Sequence, residues 1–407
     1  MRDTTDTPSD IVDGLQSFLA AEVKARHERH VDVLGNPRHV YGEDGRYSRE
    51  VLDLKREVRM ASAEAGYYLM LAPESLGGSG LGFVALYEVW ETIFRVCGAR
   101  YWLGWETVAH WTKGPSPIFE HVAASVRDRI LPDLASGART TCFAMSEPDA
   151  GSDAWMMRTR AVQTDGTWRI DGEKQWISGA ATAELAVVFA VTDVEAASAR
   201  RGGITAFLVP TATPGFAVYS VTPMFGHAGS NEGIVQLADV HVPADHVIGE
   251  VGDGFGLALA GVSLGRLYNA AKAVGLARWA LDQALDYVQE RQAFGSPISA
   301  FQGVMFPLAE AAMEVHAAHL VGLNCARLLD AGRPARKELA MAKAYATEVG
   351  TRAVDRAVQA HGAMGFTNEL GLAEAWQQLR QVWIADGSSE ILRRTISREL
   401  LKGDRAL

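Results

Sequence analysis

The chain has 407 residues, 48% hydrophobic and 22% charged, with 39 basic and 49 acidic side chains and a formal net charge of −10. At about 150 residues per domain this predicts two or three domains, and the composition excludes a disordered chain, a collagen-like fibre and a disulfide mini-scaffold. An acidic balance without a basic block also argues against nucleic-acid binding, while leaving room for local basic pockets.

Residues 1 to about 10 read as a loose polar tail. It lacks the basic and apolar stretches of a secretory leader, so the expected location is the cytoplasm. Ile11, Leu15, Leu19 and Val23 recur every fourth residue and predict one helix face. Pro73 and Gly77-Gly78-Ser79-Gly80 mark a loop between Gly66 and Gly82, and a helix follows from Phe83 to about Cys97.

The period changes after Gly137. Thr140–Ala144, Trp168–Asp171, Leu185–Thr192, Gly203–Val209, Phe216–Val221 and Gly233–Val242 alternate with turn signals and predict a compact β sandwich or barrel. From Gly254 the helical period returns, and Pro297, Gly332-Arg333-Pro334 and Gly362 to Gly365 divide it into four long helices, at about 254–289, 298–331, 335–363 and 372–401. That pattern predicts a four-helix bundle. The expected fold is α+β in three parts: an N-terminal helical domain (1–137), a central β domain (138–253) and a C-terminal bundle (254–407).

Several chemistries find no support. Cys97, Cys142 and Cys325 lie far apart and predict buried free thiols. No apolar run approaches the ~18 residues of a membrane helix. The chain has no GxGxxG after a strand, no P-loop, no GxSxG and no HExxH. His27 and His30 share a helix face, but nothing nearby in sequence completes a metal site. His227, His241 and His246 read as loop or strand residues.

Two stretches carry more. Phe143 to Asp153 reads as a strand running into a loop of hydroxyls, small residues and free N–H groups, able to wrap an anion or a heterocycle edge. In Gly172-Glu173-Lys174-Gln175-Trp176-Ile177-Ser178-Gly179, strand alternation puts Trp176 and Ser178 on one side, a flat aromatic beside a hydroxyl. Trp155, Met156 and Met157 are bulky residues that either narrow a pocket or pack the β domain.

Together with three further segments, these resemble the acyl-CoA dehydrogenases, a flavoprotein family. Its TEPGAGSD motif is matched by Ser146 to Asp153 and its GxKxWITN by Gly172 to Gly179. RxxFGxxxxxxQ is matched by Arg291, Phe294, Gly295 and Gln302. GGxGF is matched by Gly362-Ala363-Met364-Gly365-Phe366, and the IYEGT-like run by Ile384 to Glu390. The five occur in register over nearly the whole chain.

The resemblance implies FAD as cofactor. Phe143, Met145, Ser146, Gly151 and Ser152 are then expected at the flavin or its phosphates, and Trp176, Ile177 and Ser178 at the isoalloxazine. Arg291, Phe294, Gln302, Gly362 and Gly365 are expected at the FAD of a neighbouring subunit, which makes the protein a homodimer or homotetramer. Ser388 and Glu390 complete the expected cofactor contacts. Ser152, Ser263, Arg266 and Gly387 are expected at the substrate, although Ser263 stands where the family often has Asp.

The implied reaction is α,β-desaturation of an acyl-CoA thioester, with electrons passed to an electron-transfer flavoprotein. A carboxylate removes the α-proton while hydride leaves the β-carbon. Such a base needs a dry pocket that raises its pKa, and Trp383, Ile384 and Ala385 are the apolar neighbours in sequence. The family base is usually Glu, whereas the matching residue here is Asp386. The alternative position, before an Arg in the first bundle helix, is Gly265 and cannot act. Asp at this point keeps open a flavoprotein oxidase or monooxygenase with a non-CoA substrate such as a nitroalkane.

Overall fold

The computed structural model describes residues 9–226 and 229–406; His227 and most of the expected N-terminal tail lie outside them. In chain order the elements are helices, then β strands, then helices, as the hydrophobic periods predict. By contacts the chain forms two compact units: residues up to Arg26 with Leu81–Trp105 and Val262–Leu407, and His27–Gly80 with Glu106–Gly261.

The second unit holds an eight-stranded mixed sheet. Its strands are β1 (Thr141–Ala144), β2 (Arg160–Thr164), β3 (Thr167–Ser178), β4 (Leu185–Val191), β5 (Ile204–Pro210), β6 (Phe216–Val221), β7 (Glu232–Pro243) and β8 (Val247–Ile248). The order is β6-β7-β3-β2-β4-β5-β8, with β1 parallel to β4. β2 and β8 are additional to the sequence reading. β2 alternates poorly, being buried only at Ala161, so its period was weak.

Both faces of the sheet are covered. Leu185, Val187, Phe189 and Val191 of β4 pack with Leu76, Ile118, Phe119 and Leu134, while Ala186, Val188 and Ala190 pack with Trp168, Ile170 and Phe207. A strand buried on both faces reads as a continuous apolar run, which is what residues 185–191 show. Fully buried residues such as Phe189 and Phe207 each contribute about 1.5–3 kcal/mol.

In the first unit the long helices are Gly254–Glu290 (from Val262 onward), Gln302–Asp330 and Arg336–His361, close to expectation. The fourth expected helix is two: Leu372–Val382 and Ser389–Leu401. Between them the backbone leaves the helical conformation, with Asp386 at φ 54° and Gly387 at φ 99°. Ser388 then caps the new helix by accepting from the Ile391 N–H at 3.4 Å. Periodicity misses this break because apolar residues continue through Trp383, Ile384 and Ala385.

The other side-chain expectations resolve locally. All three cysteines are buried and free. His27 is buried, which pushes its imidazole down to about 4, and His30 lies 3.3 Å from Glu50. Among the described residues no cluster could hold a metal ion, and no helix is long and apolar enough to cross a membrane. Met157 is core, Trp155 stacks on Phe255 at 3.9 Å and Met156 is exposed, so two of these three residues pack the β domain.

Candidate active site

The turn from Trp383 to Ser388 concentrates polar groups from two other helices of the same unit. Asn269 donates from Nδ2 to Asp386 Oδ2 at 2.7 Å. Arg266 donates to the Asp386 carbonyl at 3.2 Å, and Lys343 to the Gly387 carbonyl at 2.8 Å. Gly387 is called for by its φ of 99°, since a Cβ there would meet the Arg266 guanidinium only at an ordinary contact distance of 3.4 Å.

Burial pushes the Asp386 carboxyl up to about 6, although Lys343, the Asn269 hydrogen bond, Arg266 and Lys272 all favour its ionised form. Burial likewise pushes Lys343 down to about 8 against the pull of Asp386. A carboxylate of this kind can exchange a proton near neutrality.

The apolar neighbours in sequence do not supply this enclosure. Ile384 is 67% exposed and Ala385 is exposed. The Trp383 indole turns away to Thr351 Oγ1 at 2.9 Å and the Thr347 carbonyl at 3.1 Å. Asn269, Lys272 and Lys343 were missed by sequence reasoning. The available signal was Arg266, Asn269 and Lys272 at three-residue spacing in the largely apolar stretch from Leu264 to Ala277.

In the second unit, the two motif segments around β1 and β3 are joined by a buried ion pair. Lys174 and Glu147 are 0% and 6% exposed, with Nζ 2.8 Å from Oε1. Lys174 also donates to the Met145 carbonyl at 3.1 Å, and Glu147 accepts the Arg158 and Thr159 N–H groups at 2.5 and 3.0 Å. A backbone bond from Gln175 N to Ser146 O at 2.9 Å completes the seam.

β3 carries an extra residue between Lys174 and Ile177 relative to β7. This β-bulge puts Trp176 at φ 64° and leaves it 50% exposed. The simple alternation that placed Trp176 and Ser178 on one side is therefore interrupted. Ser178 donates its hydroxyl hydrogen to Glu232, whose oxygens lie at 2.7 and 2.9 Å. Ile177 is core. Phe143 and Met145 are half-buried, and Ser146 is half-buried at the start of a loop whose Gly151 and Ser152 are exposed.

The remaining expected contacts lie in the first unit. Arg291, Phe294 and Gln302 are all exposed. Phe294 and Gly295, at φ 52° and 84°, form the two-residue turn of a hairpin pairing Ala293 with Ser296. The 96% exposed Phe294 ring stands edge-on to Phe301. Gly362 has open space at its Cβ position, whereas a Cβ on Gly365 would meet the Val358 carbonyl at 2.4 Å. Helix packing alone therefore explains Gly365. Ser388 is the helix cap described above and Glu390 is exposed in that helix's first turn. Ser263 is half-buried on the Gly254–Glu290 helix.

The donor set of the second unit suits a flavin. A half-exposed indole is held at positive φ, and the loop at Ser146 to Ser152 keeps exposed small residues and unfilled space at Gly151. Polar atoms beside an open aromatic plate match the mixed apolar and hydrogen-bonding surface of an isoalloxazine.

Comparison with known proteins agrees. The chain matches the acyl-CoA dehydrogenase N-terminal domain over residues 5–138, the middle domain over 142–240 and the C-terminal domain over 252–401. It is 35% identical over 341 residues to human short-chain specific acyl-CoA dehydrogenase, covering 84% of this chain and 81% of the relative. It is 32% identical over 361 residues to the CarC subunit of the caffeyl-CoA reductase–Etf complex of Acetobacterium woodii, covering 88% and 92%. The structure of butyryl-CoA dehydrogenase from Megasphaera elsdenii superposes with a TM-score of 0.81 at 25% identity, over 98% of this chain and 99% of that one. With three domain matches in order and relatives above 30% identity over most of its length, the chain belongs to the acyl-CoA dehydrogenase family of FAD-dependent oxidoreductases.

Proposed function

We propose that this protein desaturates an acyl-CoA thioester at the α,β bond, with Asp386 as the base and an electron-transfer flavoprotein as electron acceptor. The observation that carries the reading is a carboxylate in register with the family's base, held in a polar clamp and raised to about 6. FAD, when bound, supplies the acceptor for the substrate's β-hydride.

The chain's own residues do the rest. Asp386 takes the α-proton, and its ionised form must predominate for that, so activity rises with pH through about 6. Arg266 and Lys343 hold the carbonyls on either side of the turn and fix where the carboxylate stands. Trp176 offers a flat face and the loop from Ser146 to Ser152 offers hydroxyl and N–H donors for the cofactor. Ser178 has committed its hydrogen to Glu232, so its remaining capacity is as an acceptor. The Acetobacterium relative, named as part of an Etf complex, supports the choice of electron acceptor.

Anaerobic titration of the FAD-loaded protein with a panel of acyl-CoAs tests the reading. Bleaching of the flavin band by at least one thioester is the expected result. No bleaching by any thioester, together with hydrogen peroxide production from a nitroalkane in air, would establish the oxidase reading that Asp at position 386 keeps open.

Self-association belongs to the same reading. Phe306, Met313 and Leu320 recur at seven-residue intervals on the Gln302–Asp330 helix, 57%, 67% and 48% exposed, an apolar stripe suited to a second copy. Arg291 opens the hairpin segment that leads from the Gly254–Glu290 helix to that helix, so Arg291→Ala is expected to loosen FAD and the assembly together. Light scattering that finds a fully flavinylated wild-type monomer would contradict this.

A further inference from the structure

We propose that Asn269 is a positioning residue for the base: its amide pins one oxygen of Asp386, favours the ionised carboxylate and leaves the other oxygen to take the proton. The inference rests on the reading of Asp386 as the base.

Asn269 is 3% exposed on the Gly254–Glu290 helix, with Nδ2 at 2.7 Å from Oδ2. An ionised carboxylate only accepts hydrogen bonds, so the chemistry assigns the NH₂ end of the amide to this contact. No other donor among the described residues bonds the Asp386 carboxylate.

The cations around it act differently. Lys343, from the Arg336–His361 helix, spends a hydrogen bond on the Gly387 carbonyl, and Arg266 spends its Nε on the Asp386 carbonyl. Lys272 donates to Gln378 at 3.0 Å and lies 5.1 Å from the Trp105 ring. All three reach the carboxylate through space, and Glu348 and Glu390 in turn face Lys343. Arg266 and Lys343 therefore hold the turn, while the amide holds the reacting group.

A neutral donor suits that place. Burial alone would push the carboxyl higher still, whereas a directly bonded ammonium would hold it more acidic. An amide fixes the geometry and favours the charged form at a smaller loss of basicity.

The test uses FAD-loaded wild type, Asn269→Leu and Asn269→Asp. Infrared difference titration of the protonated carboxyl band, with Asp386→Asn as blank, reads the Asp386 midpoint without any substrate. Stopped-flow flavin reduction by butyryl-CoA is followed over the same pH range. In Asn269→Leu the midpoint is expected to rise by about one pH unit, so reduction at about pH 6 falls roughly fivefold more than in the alkaline plateau. Asn269→Asp places a second carboxyl beside the first and moves the midpoint further up; it also carries the test if the Leu variant does not fold. An unmoved infrared midpoint in a folded, flavin-loaded variant overturns the proposal, and a uniform loss of rate with that unmoved midpoint assigns Asn269 to packing. If Asp386→Asn reduces its flavin at the wild-type rate, the base assignment fails while the infrared midpoint still reports the hydrogen bond, so the two failures are distinct.

Discussion

Asp386→Asn is expected to keep its flavin and to slow flavin reduction by substrate by on the order of 10²–10⁴-fold. The replacement is nearly isosteric, and Asn tolerates the left-handed backbone that Asp386 adopts at φ 54°. The carbonyl contacts from Arg266 and Lys343 do not depend on the side chain, so the turn should survive and only the proton acceptor is lost. Asp386→Glu should be impaired as well. Its carboxylate reaches about 1.5 Å further, one carbon–carbon bond, and misplacement near 1 Å can cost on the order of a hundredfold. It would also have to abandon the Asn269 bond at 2.7 Å. A stopped-flow trace for Asp386→Asn that overlays the wild type would move the base elsewhere.

Lys174→Met is expected to cost about 3–5 kcal/mol of stability, because it leaves the buried Glu147 carboxylate without its counter-charge. The wild-type pair is fully enclosed, and the environment marks both members: Lys174 is pushed down to about 8 by burial, while its ammonium helps to hold Glu147 below the usual carboxylate range. For a chain of 407 residues the loss corresponds to melting roughly 4–6 °C lower. Flavin affinity should fall too, since the pair and the Met145 carbonyl join the loop at Ser146 to the strand bearing Trp176. Adding Glu147→Gln should recover part of the stability by removing the orphaned charge. A Lys174→Met protein that melts within a degree or two of wild type would show that the seam is held by the backbone bonds alone.

The motif residues divide between these two roles in a way the sequence does not display. Glu147 and Lys174 sit inside the most recognisable segments, yet they are sealed from solvent and act on each other. Trp176 and Ser152 in the same segments remain exposed to solvent. Among the glycines expected near the cofactor, Gly362 has room at its Cβ position, whereas Gly365 is required by the carbonyl of Val358. A motif records which residue types are needed and not whether the need is packing or chemistry.

The sequence by itself determined the order of helical and β segments, because a period near 3.6 or 2 reflects which face each element buries. It also determined the family, through five short segments in register, and the candidate base, through the carboxylate that stands at the family's Glu position in the last of them. The tertiary structure alone decided the break in the last helix. Apolar spacing runs on through residues 383–385, and it is the positive φ at Asp386 and Gly387, with two cations on the turn's carbonyls, that breaks the helix. The bulge beside Trp176 was equally hidden, since an extra residue in one strand shows only against its partner. So were Asn269, Lys272 and Lys343. They lie far from residue 386 in sequence, and only the packing of three helices brings an amide and two ammonium groups around that carboxylate, where burial and charge together set its readiness to take a proton.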